Sequence, residues 1–168
     1  MQQNCSYSTM AERDLEEVIS IEKEVFRHPW SMEFFRLIIS DSSNCVITLR
    51  RDNAVVGYGG YHLLKKEATF LSRGNRNQQL IHLINIAVRP PFQNQGFGTL
   101  LLDILLSKAK RSSAEYCYLE VRPSNTRAFH FYQHRGFSVI GVIENYYPIE
   151  KENAVVMGME LLGLIQAG

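Results

Sequence analysis

The segment from Leu80 to Ala109 constrains the fold more than any other. Leu80–Val88 is almost wholly apolar and rich in β-branched residues, and it reads as a buried strand. Pro90-Pro91 ends it, because proline brings no backbone N–H to a ladder. Gly96 and Gly98 follow, and then Leu101, Ile104, Leu105, Lys108 and Ala109 recur at helical spacing, with Phe97 and Leu100 one turn earlier. The spacing predicts a helix over Gly98–Ala109. A strand that runs through glycines into a helix gathers unpaired backbone N–H groups at the positive end of the helix dipole. That arrangement suits an anion, phosphate above all. The same glycines equally let a helix pack close to a strand, and both readings are open at this point.

Two phosphate motifs fail on what is missing. A dinucleotide fingerprint needs G-x-G-x-x-G, and Leu101 stands where the third glycine belongs. A Walker loop needs a lysine directly after its last glycine, and neither Gly96 nor Gly98 has one.

The rest of the chain alternates helices and strands. Asp14–Phe26 reads as an amphipathic helix with Leu15, Val18, Ile19, Glu22, Val25 and Phe26 on one face. Pro29 breaks the pattern, and Ser31 is an N-cap candidate for a second helix over Met32–Ser40. Cys45–Leu49 and Ala54–Leu64 read as a hairpin turned at Asp52-Asn53, with Gly57, Gly59 and Gly60 as candidates for a bulge. Lys65–Gln79 is polar and basic and reads as a long, mobile connection. Tyr116–Val121 reads as a strand. Ser124 is the N-cap candidate for a helix through Arg135, and Gly136 sits where a left-handed C-cap belongs. Phe137–Ile143 and Ala154–Leu162 read as the last strands, joined by a loop around Tyr146-Tyr147-Pro148. The order implies a mixed α/β protein with one layer of sheet, as a single domain over residues 1–168.

Composition narrows the partners. Lys plus Arg is 18 and Asp plus Glu is 17, so nothing in the charge balance calls for a nucleic acid or a membrane surface. Cys5, Cys45 and Cys117 are far apart and odd in number, which speaks against a disulfide framework or a zinc site. His130 and His134 share a helix face but lack the H-E-x-x-H pattern, so no metal is expected. The polar start and the absence of a long apolar run point to a soluble, cytoplasmic chain.

The stretch Gln93-Asn94-Gln95-Gly96-Phe97-Gly98 resembles the (Gln/Arg)-x-x-Gly-x-(Gly/Ala) pyrophosphate loop of the GNAT superfamily, the acetyl-CoA-dependent N-acetyltransferases. His28-Pro29-Trp30-Ser31, Asn85-Ile86-Ala87-Val88, the run Leu119–Asn125, the run Phe131–Phe137 and Asn145-Tyr146-Tyr147-Pro148 resemble one branch of it. That branch is the bacterial ribosomal-protein-alanine N-acetyltransferases, and the resemblance spans about Tyr7 to Leu161. It implies a single-domain α/β fold: a central mixed, mostly antiparallel twisted sheet, flanked by about four helices and splayed in the middle to hold acetyl-CoA. It also implies acetyl-CoA as co-substrate and direct transfer to the N-terminal amine, alanine first, of a ribosomal protein. No nucleic-acid or membrane partner is implied. Other acceptors of the superfamily, a lysine side chain, a polyamine or a small-molecule amine, remain the alternative. Two departures from the branch bear on the acceptor: the long basic connection at 65–79, and Pro90-Pro91 at the loop approach.

The resemblance also assigns roles. Backbone groups of Asn94, Gln95, Gly96, Phe97, Gly98 and Thr99 hold the pyrophosphate, and those of Ile86, Ala87 and Val88 meet the pantetheine arm, which Asn125 also binds. Glu120 acts as general base and Tyr132 as acid toward the leaving thiolate. Trp30, Tyr146 and Tyr147 flank the acceptor. From the residues alone, Glu120 is an acid that interrupts an apolar strand, a position equally open to an outward-facing strand residue. Tyr132 reads as well as a buried aromatic, Asn125 as a helix cap, and Trp30 as a core anchor. Cys117 reads as a packed strand residue with no base beside it.

Overall fold

The computed structural model describes residues 5–64 and 79–161. Its elements are β1 (Cys5–Thr9), α1 (Leu15–Val25), α2 (Met32–Ser40), β2 (Asn44–Arg51), β3 (Ala54–Leu64), β4 (Gln79–Val88), α3 (Phe97–Arg111), β5 (Ala114–Val121), α4 (Thr126–His134), β6 (Ser138–Tyr147) and β7 (Glu152–Glu160). The strands form one seven-stranded sheet in the order β1-β2-β3-β4-β5-β7-β6. The β1–β2, β2–β3, β5–β7 and β6–β7 pairs are antiparallel, and β4 runs parallel to β5. The β4–β5 ladder covers Gln79 to His82 against Ala114 to Tyr118, and both strands continue past it. The connection at 65–78 lies outside the described residues.

The described residues pack as two compact units, one containing 5–63 and 84–111, the other 64, 79–83 and 112–161. In the first, α1 buries Leu15, Val18, Ile21 and Glu22. Ile21 takes the place in the core expected for Ile19, which is only partly buried, as are Val25 and Phe26. Ser31 caps α2 as expected: its hydroxyl oxygen accepts the Phe34 N–H at 3.2 Å. The hairpin carries its bulge on β3, where Leu49 pairs with Gly57 and Arg50 with Val55, leaving Val56 as the extra residue. Helix α3 begins at Phe97 and extends to Arg111, burying Leu101, Leu102, Leu105, Leu106 and Ala109.

Apart from shifts of one or two residues at element ends, three features differ from expectation. β1 was not foreseen; it is a short polar edge strand whose partner β2 supplies the order. β6 runs on through Tyr147, so Tyr146 and Tyr147 are strand residues and the turn falls at 148–151. Asn125, not Ser124, caps α4, with its side-chain oxygen accepting the Ala128 N–H at 3.2 Å. Ser124 is engaged elsewhere: its hydroxyl and its N–H both donate to Glu152, at 2.7 and 3.0 Å. Gly136 does adopt the left-handed conformation, with φ 91°. No helix among the described residues is long and apolar enough to cross a membrane.

Candidate active site

The first unit presents the glycine loop. β4 ends at Val88, and the Arg89 N–H is tied to the Val56 carbonyl at 2.8 Å. A 3-10 turn over Pro90–Phe92 reverses the chain. The Gln93 side-chain amide then donates to the Val88 carbonyl at 2.8 Å, so the loop is stapled to the strand it leaves. Gln95 does the same one step on, donating to the Pro91 carbonyl at 2.7 Å. Asn94 and Gly96 have φ of 59° and 87°, left-handed backbone that turns the chain into α3. The first helical bond there is the Leu100 N–H to the Gly96 carbonyl, at 2.9 Å. The N–H groups of Phe97, Gly98 and Thr99 therefore precede the intrahelical ladder, and no backbone carbonyl among the described residues takes them. A Cβ added at Gly96 would meet nothing within 4 Å. Open space beside unpaired amides and a positive helix end fits a phosphate-bearing group.

The same unit brings Ile86, Ala87 and Val88 together with the glycines of β3. A Cβ on Gly57 would stand 2.7 Å from the Ala87 carbonyl oxygen, and one on Gly59 would stand 3.1 Å from Ile86 Cγ1. Glycine here is a condition of close approach to β4. Trp30 is half-buried; its ring packs on Phe34 and Phe35, with centroids 4.8 and 5.7 Å apart. It packs against the core of this unit and stays partly exposed, next in sequence to the exposed Pro29.

The second unit holds the titratable groups. Alternation on β5 sends Cys117, Leu119 and Val121 into the core and Tyr118 and Glu120 to the opposite face. The Glu120 side chain is 11% exposed, and its Oε2 lies 2.5 Å from Nε2 of His82. His82 is the β4 residue paired with Tyr118, and the two rings stack with centroids 4.7 Å apart. The imidazole is thus held flat, with one nitrogen aimed at the carboxylate. Among the described residues no donor meets Oε1 of Glu120.

Phenols surround this acid. Burial pushes Tyr118 up to about 12, helped by the Glu120 charge. Tyr147 is likewise pushed up to about 12, first by burial and then by Tyr146 and Glu120. Tyr146 is raised by burial and by Glu120. Tyr146 and Tyr147 rings meet edge to face at 5.0 Å, and the Arg122 guanidinium lies over Tyr147 at 5.7 Å while pairing with Glu150 at 2.9 Å. Tyr132 on α4 sits between Phe131 and Phe137, and burial raises its phenol above the ordinary range. Each phenol keeps its proton at neutral pH and offers an O–H. Cys117 is fully buried, and burial pushes its thiol up, so it stays a protonated packing residue. Asn125 spends its side-chain oxygen on the α4 cap, which leaves its amide hydrogens for a ligand.

Sequence reasoning did not single out His82 or Tyr118. The available signal was periodicity: His82, like Asn85, is a polar residue inside the apolar run Leu80–Val88, just as Glu120 interrupts Tyr116–Val121.

A carboxylate held by a histidine, beside phenols kept protonated, suits group transfer to a nucleophile that must first lose a proton. The chain belongs to the acetyltransferase (GNAT) family, which it matches over residues 15–137. A curated relative is the [ribosomal protein bS18]-alanine N-acetyltransferase of Haemophilus influenzae, 32% identical over 88% of this chain and 93% of that protein. Among solved structures, the ribosomal-protein-S18-alanine N-acetyltransferase from Escherichia coli superposes with a TM-score of 0.81, covering 98% of this chain and 99% of that one at 24% identity. Arabidopsis thaliana NAA60 in complex with acetyl-CoA superposes with a TM-score of 0.84 at 15% identity, over 95% of this chain and all of that one (100%). At these identities the solved structures speak for the fold.

Proposed function

We propose that this chain acetylates the N-terminal α-amine, alanine first, of a ribosomal protein in the cytoplasm, by direct transfer from acetyl-CoA. The observation that carries the chemistry is the Glu120–His82 pair. The names of the curated relatives support the acceptor class.

Acetyl-CoA supplies an acetyl thioester. The amides of Phe97, Gly98 and Thr99, with the loop backbone at Asn94, Gln95 and Gly96, bind its pyrophosphate. Backbone groups of Ile86, Ala87 and Val88 take the pantetheine arm, and one N–H there stabilises the developing oxyanion. The Asn125 amide assists on the same arm. Glu120 removes the proton from the acceptor amine, through Oε1, while His82 orients the carboxylate from the other side. The amine nitrogen forms the new C–N bond as the C–S bond breaks; that nitrogen then sheds its second proton to the departing sulfur, and CoA leaves as a thiol. Tyr132 donates its hydroxyl hydrogen to the departing sulfur. A phenol raised above 10 does not give up its proton outright to a thiolate whose conjugate acid has a pKa of ~8.5, so its role is to stabilise by hydrogen bonding until the proton count is restored. Trp30, Tyr146 and Tyr147 order the acceptor peptide.

One carboxylate suits an α-amine better than a lysine. Freeing the proton at pH 7 costs about 1 kcal/mol from a group of pKa ~8 and about 4.6 kcal/mol from one of ~10.4. The test follows thiol release with acetyl-CoA and two peptides. One starts with a free alanine, and the other has a blocked N-terminus and an internal lysine. Turnover of the first is expected, and preference for the second overturns the acceptor.

A further inference from the structure

Glu22 is a buried acid that acetyl transfer does not use. It is 1% exposed, on the apolar face of α1 beside the core residues Val18 and Ile21. Among the described residues its hydrogen-bond partners come from two strands and a loop, and none is a cation. Tyr58 of β3 donates its phenol hydrogen to Oε1. Asn85 of β4 donates to Oε1 at 3.2 Å and to the Tyr58 oxygen at 2.9 Å. The backbone N–H of Trp30 donates to Oε2 at 2.8 Å. Burial raises the carboxyl above its ordinary value, while the bonds from Trp30 and Asn85 pull it down. An apolar side chain would fill this place without the desolvation cost. The acid is explained by what it accepts.

What it accepts is a loop. The Glu22 backbone carbonyl takes the Phe26 N–H at 2.8 Å, closing α1, and its side chain takes the Trp30 N–H at 2.8 Å. One residue therefore fixes the entry and the exit of the segment that carries Arg27, His28 and Pro29, all exposed. Through Asn85 it joins that segment to β4, immediately before Ile86–Val88.

We propose that Glu22 is a positioning residue for the acceptor. It clamps loop 26–30 at both ends and sets Trp30 in register with the strand that takes the donor. The proposal rests on the acceptor role of Trp30 and the donor role of Ile86–Val88 proposed above. Trp30 is the only tryptophan, so its emission reports this loop directly.

The experiment uses the full chain with Glu22→Gln, Asn85→Ala and Tyr58→Phe. It measures rates against the alanine peptide at saturating acetyl-CoA, CoA affinity by calorimetry, and acrylamide quenching of Trp30. Glu22→Gln is expected to raise the peptide KM about tenfold and leave kcat and CoA affinity within about twofold, the signature of lost binding with the chemistry kept. Trp30 quenching should at least double. Asn85→Ala and Tyr58→Phe should move KM in the same direction by about threefold, and they carry the decision if Glu22→Gln does not fold. A residue that only supports the fold would lower kcat through an inactive fraction at constant KM, and that result overturns the proposal. So does wild-type turnover with KM and quenching unmoved in the variants. A wild-type chain that binds CoA but leaves the alanine peptide unacetylated overturns the acceptor reading first, and this proposal with it.

Discussion

Glu120 and His82 lie 38 residues apart, and the sheet makes them neighbours. If Glu120 is the base, Glu120→Gln keeps the volume and removes the basicity. Turnover should fall by roughly 10²–10⁴-fold, with CoA affinity by calorimetry unchanged. An unchanged rate would remove Glu120 from its role. His82 contributes a hydrogen bond to a charged acceptor, worth about 1.5–3 kcal/mol, so His82→Phe should lower kcat by about 10- to 150-fold and also leave CoA affinity alone. Equal loss of CoA affinity in that variant would mean that His82 supports the fold instead. These two residues differ in how far the sequence betrays them. Glu120 stands out as an acid in an apolar strand, and the family resemblance gives it a task. His82 acquires meaning only from the β4–β5 register, which one-dimensional periodicity does not contain. Glu22 sits between these cases: it belongs to the expected apolar face of α1, but its partners come from β3, β4 and the loop before α2.

At the scale of elements, the strand–loop–helix unit depends on a glycine outside its own motif. Gly57 lies on β3, and an added methyl would stand 2.7 Å from the Ala87 carbonyl oxygen and 3.1 Å from Leu101 Cδ1. The backbone oxygen cannot swing aside as a side chain can. Gly57→Ala should therefore destabilise by about 1–3 kcal/mol and shift the donor strand, so that the melting temperature and CoA affinity fall together. A variant with wild-type affinity would show that β4 does not need this close approach to hold the donor. The elements themselves were largely legible. The apolar period and Ser31 define α2 to the residue, and the Asp52-Asn53 turn places the β2–β3 hairpin. The misses have physical causes. β1 is held by its partner strand, not by its own polar residues, and β6 reaches Tyr147 because that residue pairs with Glu152 of β7 beyond an irregularity that follows Ile143. The α4 cap moved by one residue because Glu152, from a distant strand, competes for Ser124.

Across the whole molecule, the phenols couple the candidate site to stability. Tyr118 and Tyr147 are pushed up to about 12, and Tyr132 and Tyr146 are raised as well, with burial the first cause in each. In the unfolded chain the same phenols ionise near 10. Below about pH 9 both states hold these protons, and stability does not depend on them. Above pH 10 the unfolded chain sheds protons that the folded chain keeps. The unfolded state then binds fewer protons, and linkage makes stability fall as pH rises. The burial of these phenols thus makes the fold sensitive to alkali. Tyr132→Phe isolates one share of this effect, because phenylalanine keeps the ring packed between Phe131 and Phe137 and removes the proton. Urea unfolding between pH 9 and 11 should show a shallower alkaline decline in the variant, by about 1.4 kcal/mol per pH unit while the unfolded phenol is ionised and the folded one is not. At pH 7 the same variant should lose turnover with CoA affinity kept. Parallel alkaline slopes for the two proteins would mean that the Tyr132 hydroxyl titrates alike in the folded and unfolded chains, and so is not held in the buried place from which it would donate to the leaving sulfur.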